Sequence, residues 1–382
     1  MRSLADLLFA VDGAPDDPCV HWRARTWSRR EISAAAQRLA DTLARMGTAP
    51  DSAVAALVPS TPLGIVTCFG IWRAGAVAAA IDASVAPEEL DRLVAEVRPA
   101  VVVRPSLDEA SLVPQVTVSP GEPRHYDVGV ATIESTVRAG RPPSRVLCTH
   151  DAQLASIAAA EGTLRGASVG VVSVPLGSWI GADNALVAIG RGGAAVLLDP
   201  FSPTAFADAV RRFGVESATL TRAMVASIAD EPAVTTLEPL RSVRTVTAPP
   251  SPEEVRDFRS RFGVTVLGGY GRPELGAEVV GWSNGDARLH GDGKLGAVGR
   301  PYPGVDVRVR RDDGTEAEPD HSGEIWVRSP FGARGSLSDR VEPSTRLDDE
   351  GFLRTGDRGR LDRDGFLWID EPPPERPDAP VG

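Results

Sequence analysis

Two short motifs place acidic side chains beside glycines in a pattern that suits ligand binding. In "GGYGRPE", Gly269 and Gly271 flank Tyr270, and Glu274 follows; "RTGD" ends at Asp357. Glycine lets a partner approach the backbone closely because it has no Cβ, and a carboxylate is a hard oxygen ligand suited to hard cations. The same residues also fit a strand end with a surface glutamate, and a Gly-Asp pair is common in plain turns. The spacing alone leaves both interpretations open.

The cationic side chains are almost all arginines, because the chain has 40 arginines and one lysine, Lys294. A mechanism that needs a lysine therefore has a single candidate. Arg138, Arg141 and Arg145 lie close together in "TVRAGRPPSR", and guanidinium groups bind phosphate bidentately. They fit a solvated basic loop equally well, so both interpretations stay open.

Composition limits the class of protein. A chain of 382 residues, 42% hydrophobic and 24% charged, predicts a globular protein with two or three packed units. The net charge of −11 argues against a dedicated nucleic-acid binder, which usually presents a basic face. We expect no membrane span and a cytoplasmic location, because no apolar run has spanning length and the first residues do not resemble a secretory signal. Cys19, Cys68 and Cys148 are distant and odd in number, which indicates neither a disulfide framework nor a zinc site.

Periodicity predicts an α/β fold. Ser28 and Glu31 fit a capping box at the start of "WSRREISAAAQRLADTLARMG", whose apolar residues recur at intervals of three and four. Strand-like and helix-like segments then alternate, which is typical of parallel sheets covered by helices. From about residue 300 the pattern changes to short strands and turns that suit antiparallel hairpins. We therefore predict two α/β-layered subdomains over about 1–300 and a small β-barrel-like subdomain over about 300–370.

Read in order, these pieces resemble the adenylate-forming superfamily of acyl-CoA synthetases, nonribosomal peptide adenylation domains and luciferases. The resemblance rests on "VLCTH", "VPLGSWIGA", "GGYGRPELG", "GAVGRPYPGVDVRV", "GEIWVRSP" and "TGD", and it covers residues 21–370. It implies the N-terminal core of that fold over 1–370. We expect the small C-terminal lid domain to be absent and the proline-rich stretch 371–382 to be a disordered tail.

The resemblance also assigns roles to individual residues. It implies that Tyr270 stacks on adenine between Gly269 and Gly271, that Asp357 accepts hydrogen bonds from the ribose, and that Glu274 is a catalytic residue that holds Mg²⁺. Ser135 and Thr136 would belong to the phosphate loop, and the acyl pocket would be lined by Ser178, Trp179 and Gly268. His150 is expected to be structural.

The sequence departs from the superfamily pattern around the phosphates. The segment "TIESTVRAGRPPSR" lacks the usual glycines and lysine, and its two prolines remove N–H donors. Pro273 replaces a threonine, and Val246 and Thr247 replace glycines on the adenine side. The phosphate loop is therefore expected to be degenerate.

Three functions fit these observations. The first is an AMP-forming ligase, acyl-CoA synthetase-like or amino acid adenylation-like, that activates a small carboxylic or amino acid with ATP in biosynthesis (secondary metabolism). CoA, a carrier protein or a lid domain supplied in trans would be its partners. The second is a catalytically inactive pseudoenzyme or scaffold that binds a nucleotide or an acyl group beside a partner enzyme. The third is another step on an acyl substrate, such as transfer to or from a carrier protein.

Overall fold

The computed structural model describes residues 3–10, 14–108, 110–138, 141–161, 169–245, 251–291, 293–337 and 347–370. The predicted tail 371–382 and the substitutions Val246 and Thr247 lie outside these residues. The chain forms two compact units, one made of 1–135, 145–154 and 167–201, the other of 136–144, 155–166 and 202–382.

The first unit contains an α/β arrangement built on two groups of strands. Elements up to residue 201 are α1 (Asp6–Phe9), β1 (Pro18–Trp22), β2 (Arg25–Ser28), α2 (Arg29–Arg45), β3 (Ala53–Val58), α3 (Pro62–Arg73), β4 (Val77–Asp82), α4 (Pro87–Val97), β5 (Val101–Arg104), β6 (Gln115–Val118), β7 (Val130–Arg138), β8 (Arg141–Thr149), α5 (His150–Glu161), β9 (Val169–Val172), α6 (Trp179–Gly190) and β10 (Ala194–Leu197). Strands β7, β4, β3 and β5 run parallel in that order, and β6 closes the edge antiparallel to β5. Strands β9, β10 and β1 are also parallel, with β2 antiparallel to β1.

Helix α2 is the helix whose start and end the sequence indicates most clearly. The Ser28 side chain accepts from the Glu31 N–H, and the Glu31 side chain accepts from the Ser28 N–H, which is the reciprocal capping box that the sequence predicted. Ile32, Leu39 and Leu43 are buried. The chain leaves the helix through Gly47, whose φ of +80° is a left-handed conformation that glycine adopts without strain. The predicted helix and both of its ends are confirmed.

The second unit begins with a βα region and continues with antiparallel sheets. Its elements are α7 (Pro203–Phe213), β11 (Ser217–Leu220), α8 (Arg222–Asp230), β12 (Ser242–Thr245), α9 (Pro252–Phe262), β13 (Thr265–Gly268), β14 (Tyr270–Arg272), a 3₁₀ turn (Pro273–Leu275), β15 (Ala277–Gly281), α10 (Asn284–His290), β16 (Arg300–Pro301), β17 (Asp306–Arg310), β18 (Gly323–Arg328), β19 (Gly335–Ser336), β20 (Leu353–Leu361) and β21 (Leu367–Ile369). Strands β11, β12 and β13 are parallel. Strands β14, β15 and β16 form one antiparallel sheet, and β17, β18, β20 and β21 form another.

These elements confirm the predicted fold class. Parallel strands alternate with helices as far as β13, and a four-stranded antiparallel sheet occupies the predicted β-rich region. Among the residues that the structure describes, no helix is both long and apolar enough to span a membrane.

Candidate functional site

The structure brings Tyr270 and Asp357 into direct contact. Tyr270 begins β14, and Asp357 lies in β20, 87 residues further along the chain. The phenol Oη of Tyr270 donates a hydrogen bond of 2.7 Å to Oδ2 of Asp357. Burial raises the pKa of Tyr270, and the negative charge of Asp357 raises it further. The hydroxyl is therefore a neutral donor, and two residues that the sequence separates widely lie side by side.

Asp357 has a second partner, Arg272, which the sequence reasoning missed. Nη2 of Arg272 forms an ion pair with Oδ1 of Asp357, and Nη1 donates to the backbone oxygen of Thr355 at 3.1 Å. Residues two apart on a strand share a face, so the spacing of Arg272 from Tyr270 was the signal that could have found it. Each carboxylate oxygen of Asp357 thus has a protein donor.

The ring of Tyr270 is largely covered by protein. The residue is 5% exposed and packs in an apolar cluster of the second unit that includes Leu275, Val279 and Ile325. This packing fixes the ring and aims its hydroxyl at Asp357. The adenine-stacking role of Tyr270 stays a prediction.

The two glycines before Tyr270 lie close to neighbouring groups of the second unit. A Cβ on Gly268 would lie 3.2 Å from the backbone oxygen of Ala297, and one on Gly269 would lie 2.6 Å from Oε2 of Glu278. The Gly269 N–H donates to the backbone oxygen of Thr245 at 3.0 Å. Gly271 continues into β14, where it pairs with Glu278 of β15. Gly268 and Gly269 thus let the chain pass close to Ala297 and Glu278 at the carboxyl ends of β12 and β13.

Beneath Gly269 lies a buried polar cluster that the sequence reasoning also missed. Nη1 of Arg244 lies 2.6 Å from Oε1 of Glu278, and Tyr302 Oη bonds with both side chains. Arg244 Nη2 donates to the backbone oxygen of Trp282 at 3.2 Å. Burial raises the pKa of Glu278, and the positive charge of Arg244 opposes that rise. The cluster joins β12 to β15, and its members are 24 to 58 residues apart in sequence.

Glu274, the predicted metal ligand, lies in the 3₁₀ turn that follows β14. Its backbone oxygen accepts from the Ala333 N–H at 3.0 Å, and the residue is partly buried. Within the described ranges, no group of three or more His, Cys, Asp or Glu side chains could hold a metal ion. Mg²⁺ is commonly bound by one or two carboxylates together with substrate phosphates, so a single glutamate fits that mode. The metal-binding role of Glu274 stays a prediction.

In the first unit, Arg145 and Ser135 contact each other. Arg145 is 1% exposed, and its guanidinium pairs with Glu96 at 3.1 Å and with Glu89, both of α4. Nη1 of Arg145 also donates to the Ser135 hydroxyl. Arg145 is therefore not a solvated loop residue. It is also poorly placed to bind phosphate, because a buried arginine needs its carboxylate partners.

The described residues of the predicted phosphate loop, on either side of 139–140, belong to strands. Residues 130–138 form β7 and 141–149 form β8, where a glycine-rich loop would leave N–H groups free for an anion. The side chains of Thr136, Arg138 and Arg141 lie outside the described part of the structure. Phosphate binding by Ser135 and Thr136 stays a prediction.

Ser178 and Trp179, predicted for the acyl pocket, begin helix α6 of the first unit. The Ser178 hydroxyl accepts from the Gly181 N–H at 3.2 Å and donates to the Pro175 oxygen at 2.6 Å, which makes Ser178 the N-cap of that helix. Trp179 is the first helical residue and is half-buried. Gly268 belongs to the second unit, and the pocket predicted from the three residues stays a prediction.

Lys294 is held by two acidic side chains of the turn before β21. Its Nζ lies 2.8 Å from Asp362 and 2.7 Å from Asp364, and Asp362 also accepts from Trp368 Nε1 at 3.0 Å. Hydrogen bonds to the two carboxylates raise the pKa of Lys294. The ammonium is thus tied to two carboxylates, and its side chain is 19% exposed.

His150 has a structural contact, as expected. Its Nδ1 accepts a hydrogen bond of 3.1 Å from the Leu4 N–H. Burial lowers the pKa of His150, which keeps the ring neutral for that role.

Comparison with known proteins places these features in a family. A model of the family described as AMP-binding enzyme matches residues 9–138 and 142–337. The indoleacetate–CoA ligase of Aromatoleum aromaticum is 26% identical over 93% of this chain and 75% of its own length. The 4-coumarate–CoA ligase 2 of Oryza sativa subsp. japonica is 30% identical over 69% of this chain, which is 46% of the rice protein.

Solved structures show the same fold. Apo MatB from Rhodopseudomonas palustris aligns with a TM-score of 0.83 at 22% identity, over 96% of this chain and 78% of that one. The amide bond synthetase McbA from Marinactinospora thermotolerans aligns with a TM-score of 0.83 at 26% identity, over 97% and 79%. The predicted superfamily is confirmed: this chain belongs to the AMP-binding enzyme family.

Proposed function

We propose that this chain binds an adenine nucleotide and uses ATP to activate a carboxylic acid as an acyl-adenylate. The carrying observation is the 2.7 Å hydrogen bond between Tyr270 and Asp357, which joins the two motifs that the resemblance assigns to the nucleotide. Membership of the AMP-binding enzyme family and the similarity to two CoA ligases support the proposal.

The reaction is a displacement at phosphorus. A carboxylate oxygen of the acid attacks the α-phosphorus of ATP, the bond from that phosphorus to the bridging oxygen breaks, and pyrophosphate leaves with the electron pair. The chain contributes positioning, because it holds the acid and the α-phosphate in line. Asp357 accepts hydrogen bonds from the ribose, which requires the ribose hydroxyls to replace at least one of its present donors, Tyr270 or Arg272.

Mg²⁺ would be held by Glu274 and would supply charge neutralisation for the phosphates when bound. The carboxylate of Glu274 contributes one hard oxygen, and the nucleotide would provide others.

A lysine that stabilises the departing charge would come from a second protein, because Lys294 is the only lysine of this chain. Lys294 is tied to Asp362 and Asp364 at 2.8 and 2.7 Å, so freeing it would leave two acids unpaired.

The activated acid would pass to a nucleophile of a partner. Because indoleacetate–CoA ligase and 4-coumarate–CoA ligase 2 are named for CoA, we favour the thiol of CoA or of a carrier protein. Its sulfur would attack the acyl carbon, and AMP would leave.

A second candidate is a nucleotide-binding protein without catalysis. It is favoured because the residues expected to bind the phosphates and the ribose already have partners within the protein. Arg145 is paired with Glu89 and Glu96, and both oxygens of Asp357 have protein donors.

Calorimetry with AMP and pyrophosphate exchange with a panel of acids separate these candidates. An active ligase should bind AMP and exchange pyrophosphate only when its acid is present. Asp357→Ala should weaken AMP binding by about 1.5–3 kcal/mol, the scale of hydrogen bonds to a charged group. Asp208→Ala is the matched control, because Asp208 is a 68% exposed aspartate of α7 paired with Arg211. AMP binding without exchange for any acid would favour the second candidate, and AMP binding that is equal in all three proteins would refute the site.

A further inference from the structure

Glu278 is a buried carboxylate for which the proposed reaction has no use. Its side chain is 14% exposed, and its carboxyl group sits between two glycines. A Cβ on Gly269 would collide with Oε2, and a Cβ on Gly281 would collide with Oε1 and with Tyr302 Oη. The residue between β13 and β14 and the last residue of β15 are thus glycines where this group lies, which leaves room for the carboxylate.

One oxygen of Glu278 is fully engaged. Oε1 accepts from Arg244 Nη1 at 2.6 Å and from Tyr302 Oη. Arg244 is anchored in turn by the Trp282 backbone oxygen at 3.2 Å. These contacts fix the carboxylate in one orientation and balance its charge, so the cluster of one glutamate, one arginine and one tyrosine is neutral.

The other oxygen is available. Among the residues that the structure describes, none donates a hydrogen bond to Oε2 of Glu278, which lies beside Gly269. Oε2 is not one of the described side-chain atoms that are fully buried without a partner, so water or a ligand can reach it and supply the donor that a carboxylate oxygen needs.

The side chain of Glu278 points toward a different strand than the side chains predicted to bind the nucleotide. Tyr270 and Arg272 turn toward Asp357 of β20, whereas Glu278 turns toward Arg244 of β12. The two sets meet at the Gly269–Tyr270 peptide, which follows β13. A ligand beside Oε2 would therefore adjoin the nucleotide without using the groups that hold its ribose.

We propose that Oε2 of Glu278 accepts a hydrogen bond from an uncharged N–H or O–H group on the body of the carboxylic acid to be activated. This inference rests on the proposed function and names its class of substrate. An uncharged donor fits because Arg244 already balances the carboxylate; an ammonium would bring an uncompensated positive charge to a site that is mostly removed from water.

Matched pairs of acids test the donor. The pairs are indole-3-acetate against 1-methylindole-3-acetate and 4-hydroxyphenylacetate against 4-fluorophenylacetate, titrated calorimetrically into the protein with AMP present. We expect the donor-bearing member of at least one pair to bind roughly 10- to 100-fold more tightly, the ratio that one hydrogen bond to a charged group provides. Equal affinities within both pairs, or no binding by either donor-bearing acid, would overturn the inference.

Glu278→Gln gives a sharper readout than loss of binding. Arg244 and Tyr302 both donate, so they should retain the amide oxygen and direct the amide NH₂ to the position of Oε2. An acceptor then becomes a donor, and the preference should shift toward 4-acetylphenylacetate over 4-hydroxyphenylacetate. Glu324→Gln is the control, because Glu324 is a 20% exposed glutamate of β18 paired with Arg354 at 2.8 Å; it should keep the wild-type preference.

Two measurements keep the inference separate from the proposed function. The affinity for AMP shows whether the Glu278→Gln protein is folded. If it is not, the affinities of the paired acids for the wild-type protein still test the inference. Acid binding needs no turnover, so a protein that discriminates within a pair yet shows no pyrophosphate exchange would refute the ligase and retain this subsite. An unchanged preference in a folded Glu278→Gln protein would refute the subsite and leave the ligase untouched.

Discussion

The guanidinium of Arg272 pairs with the carboxylate of Asp357, the side chain expected to receive the ribose. Both groups are mostly buried, with side chains 17% and 10% exposed. A nucleotide must therefore compete with a residue of the chain itself, or share the carboxylate with it. Buried pairs of this kind cost desolvation energy and are costly to break.

Arg272→Met should strengthen adenosine binding by several-fold to about tenfold. The ribose hydroxyls would meet an Asp357 oxygen that has no competing cation, and the methionine would fill much of the volume of the arginine stem. Calorimetry with adenosine measures the change. Arg354→Met, which removes a 59% exposed arginine from β20, the strand of Asp357, should leave the affinity unaltered. Weaker adenosine binding in Arg272→Met would show that Arg272 assists the nucleotide.

AMP should bind about as tightly as ATP·Mg²⁺. The segment expected to cradle the outer phosphates forms β7 and β8, and Arg145 is held by Glu89 and Glu96. Among the described groups of this segment, few N–H donors or free cations are then left for the β- and γ-phosphates. Parallel calorimetric titrations should give dissociation constants within about threefold of each other. An ATP affinity more than about tenfold higher would assign phosphate binding to Arg138 or Arg141, whose side chains lie outside the described residues.

Gly269→Ala should destabilise the second unit by about 1–3 kcal/mol, the range for overpacking. The new methyl group would lie 2.6 Å from Oε2 of Glu278, and Arg244 and Tyr302 prevent that carboxylate from moving away. Chemical denaturation followed by tryptophan fluorescence measures the loss. Gly285→Ala in α10 is the control, since its Cβ would lie 3.6 Å from the nearest atom and alanine favours helix. Equal stabilities for the two variants would contradict the packing shown here.

Sequence predicted the elements better than it predicted the site. The capping box of Ser28 and Glu31 is local, and α2 forms where it predicts. Tyr270 and Asp357 were paired only through the resemblance, because nothing local links residues 87 positions apart. The Arg244–Glu278 contact joins strands that are 34 residues apart, and no periodicity reveals it. Ser178 was assigned to a pocket although a serine ahead of an apolar helical run is also the signature of an N-cap, and the structure uses it as one.

Lys294→Met should affect stability and leave the chemical step unchanged. The ammonium bridges Asp362 and Asp364 in a partly exposed turn, where ion pairs contribute little, so we expect a fall in Tm of about 1–3 °C. Single-turnover formation of acyl-adenylate should keep its rate, because a lysine in two ion pairs cannot also reach the phosphates. A rate loss of ~10²–10³, the usual effect of removing one transition-state charge contact, would instead make Lys294 catalytic.

Glu134 makes stability depend on pH. Burial raises the pKa of this β7 carboxyl to about 7, and the negative charge of Asp183 adds to the rise. At pH 5 the unfolded chain already ionises most of this group, but the cost of keeping Glu134 protonated in the folded protein is still much smaller than at pH 8. As the pH rises from about 4.5 to 7, the unfolded state loses its proton first and is favoured, so the contribution of Glu134 to stability is lost through this window and stays lost above it.

Glu134→Gln removes that titration and keeps the shape of the side chain. Its Tm should exceed that of the wild type by a few degrees at pH 8 and by much less at pH 5, as thermal melts at the two pH values would show. Glu122→Gln changes an exposed glutamate and should shift the Tm equally at both. A gain for Glu134→Gln that is the same at pH 5 and pH 8 would mean that the carboxyl titrates alike in the folded and unfolded chain, and that its burial carries no electrostatic cost.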